Sequence, residues 1–315
     1  MGGEKKRDAF VDIAKGIAML LIIRIHAEVF DVIHVPYPII AVPFFFFMSG
    51  FYDDTHKPVK EWFPKTFKSL VVTGVIWVLL SFAYLSMLHY IKDRTMPISF
   101  SIENPLIGGG VTWFLFALFY AKCGMWIIRK CKIPFYVAFP LSFLIASLST
   151  NNLPFLLDEG LAALPFYYLG FILYPYIDRT RGGHIILAIL GMICILLMPM
   201  KWFPYVLVPW VVNGSILMYP IYFSMTVLSF FPILWLTNRI TKATWLANYG
   251  KQTLGILVLH PLMLHTCAVT LNRVFVPASG PWIISFLLAY VIVCAVSYYL
   301  SIIIVKYSPM LLGKA

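Results

Sequence analysis

The sequence predicts an all-α integral membrane protein, a polytopic bundle of about ten transmembrane helices with both termini in the cytoplasm. Three observations point there. Of 315 residues 61% are hydrophobic and only 12% charged, whereas globular domains carry about 25% charged residues. Apolar runs close to the ~20 residues that cross a bilayer recur along nearly the whole length, and 17% aromatic residues suit the interfacial belts of a membrane protein. The basic residues are also sorted by side. With the N-terminus inside, the inner segments hold Lys5, Lys6, Arg7, Lys57, Lys60, Lys65, Lys68, Arg129, Lys130, Lys132, Arg179, Arg181, Arg239, Lys242, Lys251, Lys306 and Lys314, and the outer ones only Lys92, Arg94, Lys201 and Arg273. Such an imbalance over short loops is the positive-inside signal. The net charge of +11 is then topological first, and no nucleic-acid partner is expected.

The elements follow in order from apolar runs bounded by charge, proline and glycine. The first helix is placed at 10 to 30; its run contains charges and ends without a small-residue cleavage site, so a retained helix is expected and not a signal peptide. Further helices are placed at 37 to 52, 69 to 91, 111 to 129, 133 to 149, 160 to 177, 184 to 199, 208 to 236, 253 to 273 and 281 to 305. The stretch "MKWFPYVLVPWVVNG" holds two prolines and a glycine, and reads as an outer loop, a broken helix or part of an extra span. No repeat, low-complexity tract or linker divides the chain, so residues 1–315 are expected to form one transmembrane domain. Cys123, Cys131, Cys194, Cys267 and Cys294 show no metal-ligand spacing and read as packing residues, with no metal expected.

Within the first helix, "DIAKGIAMLLIIRIHAEVF" (12 to 30) places Asp12, Lys15, Arg24, His26 and Glu28 in an otherwise apolar run. Each costs at least a few kcal/mol in hydrocarbon, so intramembrane ionisable groups read as functional unless packing explains them. At about 100° per residue, Lys15 and His26 are eleven steps apart and share a stripe with Asp12, His26 standing ~16 Å further along the axis. Arg24 and Glu28 fall on the opposite side, four apart, able to pair with each other or with neighbouring helices. A helix polar on both sides cannot face lipid.

With these residues the chain resembles the membrane-bound acyltransferase-3 family, whose first helix has a basic residue followed eleven positions later by histidine, as Lys15 and His26 stand in the "DIAKGI" context. Members of its fucose-O-acetylase-like and intercellular-adhesin-like subgroup have Lys at that basic position, as here. Further segments match in the expected order: "VPFFFFMSGFY" (42 to 52), "TWFLFALFYAK" (112 to 122), "LPFYYLGFILYP" (164 to 175) and "YGKQTLGILVLHP" (249 to 261). The soluble esterase-like domain fused to some members is not expected.

The resemblance implies transfer of an acyl group, commonly acetyl, from cytoplasmic acyl-CoA to a hydroxyl of a cell-surface or lipid-linked carbohydrate, in a protein of the bacterial inner (plasma) membrane. Donor phosphates call for cations at the inner face, where Lys15, Lys65 and Lys68 are expected; Lys57 and Lys60 read as anchors. A base must take the acceptor's proton, and His26 suits that task, with Lys15 and Asp12 on its stripe. His26 or, less favoured, Ser49 is also a position for a covalent acyl group; Ser49-Gly50 reads better as a helix terminus or close-packing pair. His260 is a candidate second acid or base, or else a packed histidine bonded to a backbone carbonyl; for His265 packing is the better reading. Trp113 is a candidate sugar platform or a belt anchor, and Arg24 and Glu28 are candidates for the acceptor side. Two other classes compete: a proton-coupled transporter, which would also place ionisable groups inside helices, and a non-catalytic scaffold.

Overall fold

The computed structural model describes residues 8–26, 38–93, 110–148, 157–177, 179–180, 183–197, 218–271 and 282–314, and among them the secondary structure is helical throughout, with no strand. In order these are α1 (Ala9–His26), α2 (Pro38–Gly50), α3 (Val59–Thr66), a π-helical turn (Phe67–Val72), α4 (Thr73–Asp93), α5 (Trp113–Lys130), α6 (Phe135–Leu148), α7 (Leu157–Leu173), α8 (Ile185–Leu197), α9 (Met218–Leu228), α10 (Phe230–Arg239), α11 (Thr244–Lys251), α12 (Thr253–Leu271) and α13 (Trp282–Tyr307). Among the described residues two helices, Val59–Ile91 and Leu287–Tyr307, are long and apolar enough to cross a membrane.

Three differences from the expected elements have local causes. The helix expected at 69 begins ten residues earlier, because α3, the π turn and α4 run on without a break; Pro58 precedes the first helical residue, where its missing N–H costs nothing. The helix expected at 208 to 236 is two helices meeting at Ser229, and residues 208 to 217 lie outside the described ones. Ser229 Oγ and N–H both donate to the Met225 carbonyl, at 2.8 and 3.0 Å, and Pro232, with no N–H to offer, leaves the Leu228 carbonyl without its helical donor. Between α10 and α12 stands α11, a short helix where the sequence suggests only an inner loop.

The apolar residues divide into a core and an outer coat. Phe44, Phe47, Phe166 and Phe230 are buried, and Phe230 lies 5.3 Å from Phe44 and 5.1 Å from Phe47 between ring centroids, within the range for favourable aromatic pairs. Leu79 on α4, Ile186 and Leu196 on α8 and Val291 on α13 are instead 54%, 71%, 73% and 59% exposed. Apolar residues outward on three helices make the kind of surface that hydrocarbon covers. α1 is the inverse. It packs on α2, α10, α11, α12 and α13, so the helix that is polar on both sides does not face outward.

Glycines set the two closest helix crossings near the site. A Cβ on Gly170 would run into the Phe47 backbone, and one on Gly50 into the Tyr167 carbonyl, so α2 and α7 meet at backbone distance. This fits the expectation that Ser49-Gly50 is a helix end and a packing pair. Gly250 makes the same close approach to the Asp12 carbonyl, joining α11 to α1. Because the opposing atoms are backbone, Gly170→Val is expected to destabilise the fold by about 3 kcal/mol or more and to remove the protein from the membrane fraction. Wild-type amounts with an unchanged thermal midpoint in detergent would refute that packing.

Candidate functional site

A cavity of about 190 Å³ opens among α1, α2, the π turn, α5 and α12. On α1 its wall is Lys15, Met19, Ile22 and His26, a series of steps of four, three and four that forms one face of a helix. Among the described lining residues four are polar or charged, Lys15, His26, Ser49 and Thr253; the others include Phe45, Trp113, Phe114 and Leu257. Eleven residues of helix separate the two ionisable groups, about 16 Å along the axis. The wall between them is apolar. His26 is exposed, and Lys15 lies with its Nζ 5.7 Å from the Tyr52 ring centroid, inside cation–π range.

Histidine 260 stands next to this wall, one helical turn beyond Leu257. It is fully buried, its Nδ1 lies 3.0 Å from the Ile256 carbonyl oxygen, and its ring centroid is 5.2 Å from that of His26 with planes at 45°. Both expectations for this residue thus meet in one geometry: the backbone holds it, and it faces the first-helix stripe. Pro261 comes next in the chain; having no N–H, it leaves the Leu257 carbonyl without its helical donor.

The remaining anticipated residues divide between the cavity and its surroundings. Trp113 and Ser49 line the cavity; Ser49 Oγ donates to the Phe45 carbonyl at 2.7 Å. Asp12 is 4% exposed and lies outside the cavity wall, with its carbonyl against Gly250. Lys65 and Lys68 are exposed and also outside the wall, but Leu70 on the same segment is part of it. Arg24 is half-buried and outside the wall, close enough to Tyr290 of α13 to interact electrostatically. His265 is exposed. Glu28 lies outside the described residues.

An ion-pair cluster near the Lys15 end was not anticipated from the sequence. Asp53, whose side chain is 0% exposed, receives Arg129 Nη2 at 3.1 Å, the Tyr167 hydroxyl at 2.9 Å and the Thr55 hydroxyl at 2.9 Å. Beside it Lys122 Nζ lies 2.6 Å from Asp54 Oδ1, and the Arg129 guanidinium is 4.4 Å from the Phe171 ring centroid. The cluster ties the end of α2 to α5 and α7. Its signal was present: Lys122 and Arg129 are seven apart, hence on one face of α5, and "YDD" ends the run of α2.

Described residues that are helical throughout, lipid-suited surfaces and a narrow, mostly apolar cavity carrying an ammonium at one end and an imidazole at the other define a class of membrane catalyst or carrier. The comparison with known families decides between them: residues 8–306 match the acyltransferase-3 family model, described as an acyltransferase domain, and the chain belongs to that membrane-embedded family. No curated protein and no solved structure matches it.

Proposed function

We propose that this acyltransferase moves an acyl group, in the first place acetyl, from cytoplasmic acyl-CoA to a hydroxyl of a cell-surface or lipid-linked carbohydrate, and that it does so in the plasma membrane, crossing it about ten times with both termini inside. Lys15 in the first-helix motif groups it with the fucose-O-acetylase-like members. The observation that carries the reading is the single helix face that brings Lys15 and His26 into one apolar cavity.

The cavity is too small for a whole nucleotide cofactor, whose sites usually span 300–1,000 Å³. The nucleotide stays outside its Lys15 end, where Lys65 and Lys68 add positive charge, and the pantetheine arm and thioester enter between apolar walls. His26 takes the proton from the acceptor hydroxyl as the new C–O bond forms and the C–S bond breaks; the proton then passes to the CoA sulfur. A water-poor wall limits hydrolysis of the thioester. Trp113, also on the cavity wall, offers a ring face to the sugar. Direct transfer needs both substrates at His26 together.

The test is release of free CoA from acetyl-CoA by purified protein in nanodiscs, with and without a lipid-linked glycan pool. Glycan-stimulated release supports the reading; no release from folded protein with any acyl-CoA, together with glycan movement across the bilayer, favours a transporter. Lys15→Met is expected to lower kcat/KM for acetyl-CoA by about 10- to 100-fold, mainly through KM, the size of one charge-assisted contact to phosphate. An unchanged KM would remove Lys15 from donor binding.

A further inference from the structure

One buried group next to the cavity has no task in the transfer just described. His260 Nδ1 faces the Ile256 carbonyl oxygen at 3.0 Å. A carbonyl only accepts, so Nδ1 carries the proton and Nε2 of the neutral ring is left with a lone pair. That nitrogen is buried and has no hydrogen-bond partner among the described residues, a costly state that usually marks a functional demand. The ring beside it is His26, at 5.2 Å between centroids. A hydrogen bond of about 2.9 Å between ring nitrogens, with the radius of each five-membered ring added, spans close to that separation.

We propose that His260 is a positioning residue for acyl transfer: the two rings stand side by side without a hydrogen bond in this structure, and when His26 turns during the reaction His260 Nε2 accepts its N–H and thereby fixes which nitrogen of His26 faces the cavity. In the serine-hydrolase triad an aspartate holds the catalytic histidine's tautomer. Here a neutral imidazole does so, its own tautomer pinned by the α12 backbone, and no net charge is placed in the apolar interior. The inference rests on the reading of His26 as the base. The acceptor's proton goes to the cavity-facing nitrogen of His26 as the C–O bond forms and the C–S bond breaks, and from there to the CoA sulfur. Through both steps the other N–H of His26 stays directed at His260, so the positive charge passing over His26 is met by a lone pair.

The experiment compares wild type, His26→Ala, His260→Leu and His260→Gln in nanodiscs for CoA release and thermal unfolding, and records ring-nitrogen NMR shifts of ¹⁵N-histidine protein. His260→Leu is expected to lower kcat about 100-fold or more, with KM for acetyl-CoA within about threefold. His260→Gln, whose amide oxygen accepts a hydrogen bond, is expected to keep at least about ten times the activity of the Leu variant, because it restores the acceptor. The His260 signals, assigned by their loss in a variant, should show the proton on Nδ1, and the His26 signals should shift when His260 is replaced. A proton on Nε2 of His260, equal losses in the Leu and Gln variants, or wild-type kcat in the Leu variant overturns the proposal while His26→Ala stays inactive. Full activity of His26→Ala would instead overturn the reading of His26 itself. If the Leu variant does not fold, the Gln variant and the wild-type spectrum decide.

Discussion

His26→Ala is expected to lower kcat for CoA release by about 10²- to 10⁴-fold, the range that a positioned general base supplies. The expectation comes from the side chains around the cavity. Lys15 stands about 16 Å away along the helix axis and, as an ammonium, has no lone pair to offer. Ser49 Oγ already donates to the Phe45 carbonyl, and Thr253 is an alcohol with a pKa far above that of imidazole. No other described lining side chain is a base. Since His26 lines the cavity and is not part of the packed core, its removal should leave the protein folded and in the membrane fraction. Activity and stability are thereby separable. Steady-state CoA release with thermal unfolding of the same preparations checks both, and His26→Gln should be as inactive as Ala, because an amide bonds but does not take a proton. Turnover within about threefold of wild type in either variant would exclude His26 as the base.

Asp53→Ala is expected to cost about 3 kcal/mol of stability, the lower end of the range for removing one partner of a buried ion pair. The carboxylate is fully buried and serves three donors, Arg129, Tyr167 and Thr55. Without it the Tyr167 hydroxyl, on a side chain 0% exposed, has no acceptor in place. The Arg129 side chain is 30% exposed, which lets water meet part of its charge and keeps the loss below the upper end of the range. Adding Arg129→Met should return a good part of the stability, since a paired charge replaced on both sides by apolar atoms leaves nothing unsatisfied. Thermal midpoints of the two single variants and the double variant form the cycle that measures this. An unchanged midpoint in Asp53→Ala would show that the cluster does not hold α2, α5 and α7 together.

Periodicity made the centre of the site legible. Lys15 and His26 could be put on one face by counting residues, and a polar face in an apolar run forces burial among other helices; the packing of α1 on five neighbours bears this out. Trp113 and the approach of His260 were legible as candidates because their segments stand in a known order, but only the fold shows that α12 carries His260 beside His26. The Asp53 cluster escaped for a different reason. It joins positions 53 and 54, just past α2, to 122 and 129 on α5 and 167 on α7, and long-range pairing leaves no mark on the spacing within any one helix. Arg129 was counted as an inside charge, a signal that says on which side a residue lies and nothing about its partner. α11 escaped because its eight residues are too few and too polar to read as a span.

The π turn at Phe67–Val72 joins the helix that bears Lys65 to α4, and it carries Lys68 and the cavity residue Leu70 itself. The C-terminal turn clasps it: Trp77 Nε1–H donates to the Leu311 carbonyl at 2.7 Å, and Gly313, at φ +64, lies against Ser69 and Thr73. A π turn holds about one residue more than an α turn, and each residue swings a helix by about 100°. The compass bearing of Lys65 and Lys68 relative to α4 is therefore set by arithmetic. Gaining or losing one residue after Lys68 would turn both cations around the axis while leaving charge, hydropathy and helix content nearly untouched, so the length of this stretch, and not only its composition, carries information about where a donor's phosphates are met.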